Sequence, residues 1–187
     1  MALPKGISVG VANEAVHIRV VGRGTFQNGQ PLRRYALEMI ERGTRQFIVD
    51  LGECDGMDST FLGVLAGIGL RLTQNGRAGR IKVANVGQRN LELLQTLGLD
   101  RLFGMDQSEG RNLRYEESAG IAFQRLPDSD LTQLNKPLNK SDTADLMLEA
   151  HDNLIRADRR NLAKFKDLTS FLREKADKQA ADKNKDK

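Results

Sequence analysis

The chain has no tryptophan, one cysteine, two histidines and four prolines in 187 residues. With aromatics at only 5%, the core has to be built from Leu, Ile, Val and Ala. The lone thiol, Cys54, cannot form an internal disulfide, and with two histidines it cannot complete a four-ligand zinc site. No metal or cofactor is expected. No apolar run reaches the roughly 18 residues of a membrane span. The N-terminus has no basic flank followed by an apolar stretch, so no secretory signal is expected. A cytoplasmic protein that does not enter a membrane is the expectation.

Charge of one sign is lacking too. Lys and Arg number 29 against 25 Asp and Glu, a net charge of +4. The two signs are interleaved along the whole chain. A nucleic-acid binder gathers its basic residues into a patch or stripe. None is visible here, so no nucleic-acid partner is expected.

What is present divides in two. Residues 1–125 read as an α/β domain, 126–141 as a turn-rich linker, 142–176 as an amphipathic helical extension and 177–187 as a disordered tail. In the first part, 7–11 and 15–22 alternate as strands around a turn at Asn13 and Glu14. The glycine-rich stretch 22–31 reads as irregular, and 32–42 as a helix ended by Gly43. Residues 46–51 are a compact apolar run, expected to be a strand covered on both faces. A loop is predicted for 52–58, a helix for 60–74, a turn for 75–79, a strand for 80–86 and a short helix for 90–97. A last strand is placed within 113–123. Alternating strands and helices imply crossovers with helices packed on a sheet.

The extension carries Leu146, Met147, Ala150, Leu154, Ile155, Leu162, Phe165, Leu168, Phe171 and Leu172 as an apolar stripe. Ser141 or Asp142 suits its N-cap, and a break falls near Ala157 and Asp158. The stripe either packs back on its own domain or docks a partner or a second copy, giving self-association through the C-terminal helix.

The informative segment is 47–67. A strand ends in Asp50-Leu51, a short loop follows, and Met57-Asp58-Ser59 opens a helix containing Leu62-Gly63-Val64-Leu65. This resembles the signature of the STAS family, the domain shared by sulfate transporters and anti-sigma factor antagonists. The strand beginning at Ile81 and the segment 94–103 fit the same pattern, and the resemblance spans 7–123. Two positions depart from it. Thr60-Phe61 stands where a small pair is usual, and Gly22-Arg23-Gly24-Thr25 is basic where an acidic residue is common.

The resemblance implies a small mixed β-sheet with helices packed on it, plus the helical extension. It implies a partner-switching regulator of the anti-sigma factor antagonist type, not an enzyme. Ser59 would be phosphorylated, with Thr60 the alternative acceptor. Asp58, Ser59, Thr60, Phe61 and Gly63 would meet the partner. That partner would be a serine-kinase anti-sigma factor bound when Ser59 is unphosphorylated, and a PP2C-type phosphatase would restore the hydroxyl. Two alternatives stay open. One is a non-phosphorylated STAS-like subunit or scaffold of a larger transport or sensory complex. The other is a small enzyme or nucleotide-binding protein of similar architecture.

Elementary physics is compatible with such a switch. Unpaired N–H groups and the helix dipole at a helix N-terminus favour negative charge. A phosphate at Ser59 would bring a charge of about −1.5 to −2 to a partner-facing surface. The plainer reading is that Asp58 or Ser59 is an N-cap contributing about 1 kcal/mol. Gly63, Gly67 and Gly69 do not follow the dinucleotide fingerprint and suit close packing of this helix on the sheet. Cys54 reads as an ordinary loop thiol, His17 as an exposed or edge position of a strand, and His151 as solvated.

Overall fold

The computed structural model describes residues 4–74, 78–105, 120–126 and 140–183. Strands β1 (Gly6–Ala12) and β2 (Ala15–Gly24) pair antiparallel. They are joined at Asn13 and Glu14, with φ of 51° and 59°. Two successive left-handed residues give the turn whose twist matches a two-strand ribbon. The chain continues through α1 (Phe26–Glu41), β3 (Gln46–Asp50), β4 (Cys54–Met57), α2 (Ser59–Thr73), β5 (Arg80–Ala84), α3 (Gln88–Thr96), β6 (Gly104–Met105) and β7 (Gln124–Leu126). It ends in α4 (Lys140–Ala157) and α5 (Asn161–Lys183).

The sheet order is β6-β5-β3-β2-β1-β7, with β4 paired to β2 off that path. The strands from β2 to β6 are parallel, and β1 and β7 are antiparallel to their neighbours. The α/β fold class expected from the sequence is thus the one observed: a mixed sheet with helices packed on it and a C-terminal helical extension. Ile7, Val9, Val16, Ile18, Val20, Phe47, Val49, Ile81 and Val83 form the core face of the sheet, packed with Leu32 of α1 and Leu62 and Leu65 of α2. Leu146 and Leu154 of α4 belong to the same cluster. Among the described residues no helix is long and apolar enough to cross a membrane, and no three or more His, Cys, Asp or Glu side chains come together as a metal site would need.

Several elements differ from the sequence reading. Helix α1 starts at Phe26, not at residue 32, and carries Gly29 and Pro31 inside it. Its first turn is held by Asn28, whose side chain accepts the Thr25 N–H at 2.8 Å and donates to the Arg23 carbonyl at 2.9 Å. Pro31 removes one intrahelical bond, but Gly29 and Pro31 are both buried, so tertiary packing outweighs local propensity. The expected loop 52–58 contains β4, and β6 went unrecognised because it is two residues long.

The strand buried on both faces is β2, not β3, in which Gln46 is exposed and Ile48 half-buried. The last strand lies at 124–126, after the expected 113–123, of which 113–119 fall outside the described residues. The expected turn at 75–79 lies outside them at 75–77, and most of the linker does so at 127–139. Helix α4 begins at Lys140, placing Ser141 and Asp142 within its first turn. Helix α5 continues to Lys183, past the residue where the tail was expected to begin, and 184–187 lie outside the described residues.

Candidate functional site

The loop after β4 delivers Asp58 to the mouths of two helices. Its backbone N–H donates to the Gly24 carbonyl at the end of β2, at 3.0 Å. One carboxylate oxygen accepts the Phe61 N–H at 2.8 Å, the N-cap bond of α2. The other accepts the N–H of Phe26, the first residue of α1, at 2.9 Å. One carboxylate therefore faces the positive ends of two helix dipoles. Asp58, expected on a partner-facing surface, is half-buried, and both its carboxylate oxygens are engaged as a double cap.

Ser59 is the first residue of α2 and is half-buried. Its neighbours turn inward. Thr60 is buried, and Phe61 is fully buried against Gly24 and Gly29. A Cβ on Gly24 would fall 2.5 Å from the Phe61 ring, so the glycine opens the space that the ring fills. The unusual Thr60-Phe61 pair is accordingly a core feature. Neither residue stands on an open surface, and burial withdraws Thr60 as an alternative acceptor.

The outer side of Ser59 meets α4. Ser59 Oγ lies 3.0 Å from His151 Nε2. The other ring nitrogen, Nδ1, lies 2.7 Å from the Met147 carbonyl oxygen. A carbonyl only accepts, so Nδ1 carries the proton. In the neutral ring Nε2 is then the acceptor and the serine hydroxyl donates to it. The ring also meets Phe165 of α5 edge-on, with centroids 4.8 Å apart. His151 is buried, contrary to the solvated position expected for it. His17, expected at an exposed or edge position, is buried as well, within β2 between β1 and β3.

One turn further along α2, Gly63 lies under the backbone of Ala150, and a Cβ there would collide with the Ala150 carbonyl. Another turn on, Gly67 lies under the Asn153 amide, which donates to the Gly63 carbonyl at 3.4 Å. Gly63, expected to meet a partner, thus meets the chain's own α4. The small residues of α2 permit this contact, as the sequence suggested, but the element they admit is a helix and not the sheet. An ion pair between Arg33 of α1 and Glu149 of α4, at 2.7 Å, ties the edge of the crossing.

The other motif residues are structural. Asp50 accepts from Asn85 at 2.9 Å and from the Gly52 N–H at 3.0 Å, fixing the end of β3 to that of β5. Arg19 pairs with Asp50 at 3.7 Å and lies over the Phe123 ring. Cys54 stands in β4, where burial pushes its thiol above the ordinary value, so it is a poor nucleophile. The residue that sequence reasoning missed is His151. Its partner is 92 residues away, and no local pattern announces such a contact.

A family model described as Mlab, STAS domain matches residues 7–105, just over half of the chain. No curated protein matches the chain. Among solved structures, the anti-sigma factor antagonist SpoIIAA in its unphosphorylated form is similar at 21% identity, over 55% of this chain and 89% of that one, with a TM-score of 0.47. The Bacillus cell fate determinant SpoIIAA in its phosphorylated form is similar at 23% identity, over 56% of this chain and 94% of that one, with a TM-score of 0.46.

Proposed function

The chain belongs to the STAS domain family, and from that premise we propose that it is a partner-switching regulator of the anti-sigma factor antagonist type, controlled by phosphorylation of Ser59. The observation that carries the proposal is the place of Ser59. It opens α2 at the end of the Met57-Asp58-Ser59 motif, half-exposed, while the residues on both sides of it are committed to the fold. A phosphate there would add charge and bulk at one point of the surface. It would leave the Asp58 cap bonds in place and break the contact of Ser59 with His151 of α4. An interface built for a neutral hydroxyl would be opposed by repulsion and desolvation.

In this reading the partner is a serine kinase of the anti-sigma type, and a PP2C-type phosphatase reverses the modification. The chain itself performs no catalytic step. Ser59 and His151 do stand at the spacing of a nucleophile and a base. However, His151 is oriented by a backbone carbonyl and not by a carboxylate, and the α4–α5 hairpin covers the pair. A switch that answers to such a kinase and phosphatase works in the cytoplasm, where the proposal places the protein.

The test is a pull-down from the native cells with Ser59→Ala and Ser59→Asp variants of the full chain. The alanine variant is expected to retain a kinase partner that the aspartate variant loses. Equal recovery of the same proteins by both would overturn the reading.

A second reading is favoured by one observation, the cover that α4 forms over Ser59. It makes the protein a non-phosphorylated subunit or scaffold of a larger transport or sensory complex, with Ser59 an inert helix start. Mass spectrometry of the protein from its own cells separates the two. Ser59 phosphate that changes with growth condition supports the switch, and its absence under every condition supports the scaffold.

A further inference from the structure

The family match ends at residue 105, yet the Ser59 side of the matched domain is covered by a helix that lies outside it. Three contacts, spaced one turn apart on α2, define that cover. His151 lies on Ser59, the Ala150 backbone on Gly63, and Asn153 on Gly67. The crossing is close because neither glycine has a side chain and the residue opposite Gly63 is an alanine. Backbones that approach this closely select a partner helix by the size of its side chains at the crossing.

The cover is also incompatible with a modified serine. With Oγ and Nε2 at hydrogen-bond distance, 3.0 Å, no phosphoryl group fits between them. The imidazole cannot swing aside within the docked helix. The Met147 carbonyl holds one nitrogen, and Phe165 stands against the ring. A phosphate at Oγ and the Ser59–His151 contact therefore exclude one another, and a partner that covers Ser59 and Gly63 together must displace α4.

We propose that the face of α2 formed by Ser59, Gly63 and Gly67 is a helix-binding surface that α4 occupies in cis. A partner protein reaching Ser59 does so by presenting a helix with a small residue against Gly63, in exchange for α4. The helix-binding surface stands on the packing alone; its link to phosphorylation rests on the reading of Ser59 as the switch residue. The bend between α4 and α5 is the natural pivot. Asn161 donates to the Leu97 and Leu154 carbonyls there, and Lys164 to the Thr96 carbonyl, so the hairpin stays tethered to α3 while α4 lifts. A partner's apparent affinity is lowered by the fraction of closed molecules, and whatever opens the hairpin raises it by the same factor.

The test uses the full chain and a small thiol reagent, dithionitrobenzoate. Cys54→Ser removes the one native thiol, and Ser59→Cys places a thiol under α4. Two openers are compared in that background. Ala150→Leu lifts α4 and leaves the α2 face intact, whereas Gly63→Ala lifts α4 and spoils the face. Each is expected to speed thiol modification by about tenfold or more, as a shift toward the open state requires. Hydrogen exchange should rise in α4 while β3 and β5 keep their protection.

A synthetic peptide of residues 142–157 is then added in trans. It should slow the reaction again in the Ala150→Leu chain and not in the Gly63→Ala chain. Protection of both chains or of neither would overturn the helix-binding surface. So would fast modification before either opener is introduced, or no acceleration by either. The readout involves no phosphate. A positive result with no Ser59 phosphate in cells would sink the switch reading and leave the surface standing. The reverse pair of results would do the opposite.

Discussion

Asp58 closes the first turns of two helices with one carboxylate. A carboxylate just before a small-residue helix is legible as an N-cap, and it is one. Its second bond, to the Phe26 N–H, joins two helix starts that lie 32 residues apart in the chain. Each such cap contributes about 1 kcal/mol. Asp58→Ala is therefore expected to lower stability by about 1–3 kcal/mol, measured by urea unfolding. Asp58→Asn, which keeps the two acceptor–donor contacts only in part, should fall between. A loss close to zero would place Asp58 outside the fold's support and return it to the partner-facing role. Ser59 itself contributes little to stability, because it is half-exposed and its one side-chain bond is to His151.

At the scale of elements, the hairpin of α4 and α5 is held at its bend by charge. Asp158 accepts from the Arg160 side chain at 2.6 Å and from the Arg160 N–H at 2.9 Å, and it pairs with Arg101. These contacts hold its carboxyl well below the usual carboxylate range, Arg160 contributing most. A carboxyl depressed in the folded state stabilises fully above its unfolded value of about 3.9 and loses that contribution as the pH falls below it. Acidification from about pH 5 to about pH 3 should therefore loosen the bend, and Asp158→Asn should lose that part of the dependence. Thermal unfolding followed by circular dichroism at the two pH values checks this. An identical pH slope in parent and variant would refute it. Gly98, with φ of 70°, ends α3 directly beneath Asp158, so the same bend also depends on a residue without a Cβ.

Over the whole molecule, the extension is part of the core and not an appendage to it. Leu146 and Leu154 are buried in the same cluster as the sheet residues. Burying a leucine stabilises by about 1.5–3 kcal/mol, so the two together amount to about 3–6 kcal/mol. That is a large share of the roughly 5–15 kcal/mol typical of a domain. Ending the chain after residue 139 is expected to lower Tm by more than about 10 °C and to expose an apolar face on α2 that binds a hydrophobic dye. A truncated chain with unchanged Tm would show that α4 is not a structural member. Leu162, Leu168 and Phe171 of α5 stay exposed, so only part of the stripe legible in the sequence faces the body.

By itself the sequence determined what depends on neighbours along the chain. Period-two alternation marked β1, β2 and β5, and the Asn13-Glu14 turn set their first pairing. The contiguous run from Asp50 to Leu65 identified the family and placed Ser59 at a helix start. Tertiary structure decided whatever depends on groups distant in the chain. It made a helix of the Gly29–Pro31 stretch, because burial against α2 offsets poor propensity. It turned Thr60 and Phe61 inward and brought His151 onto Ser59. A side chain's direction, and what covers it, follow from how elements pack, and packing free energy leaves no periodic trace in the residues that supply it.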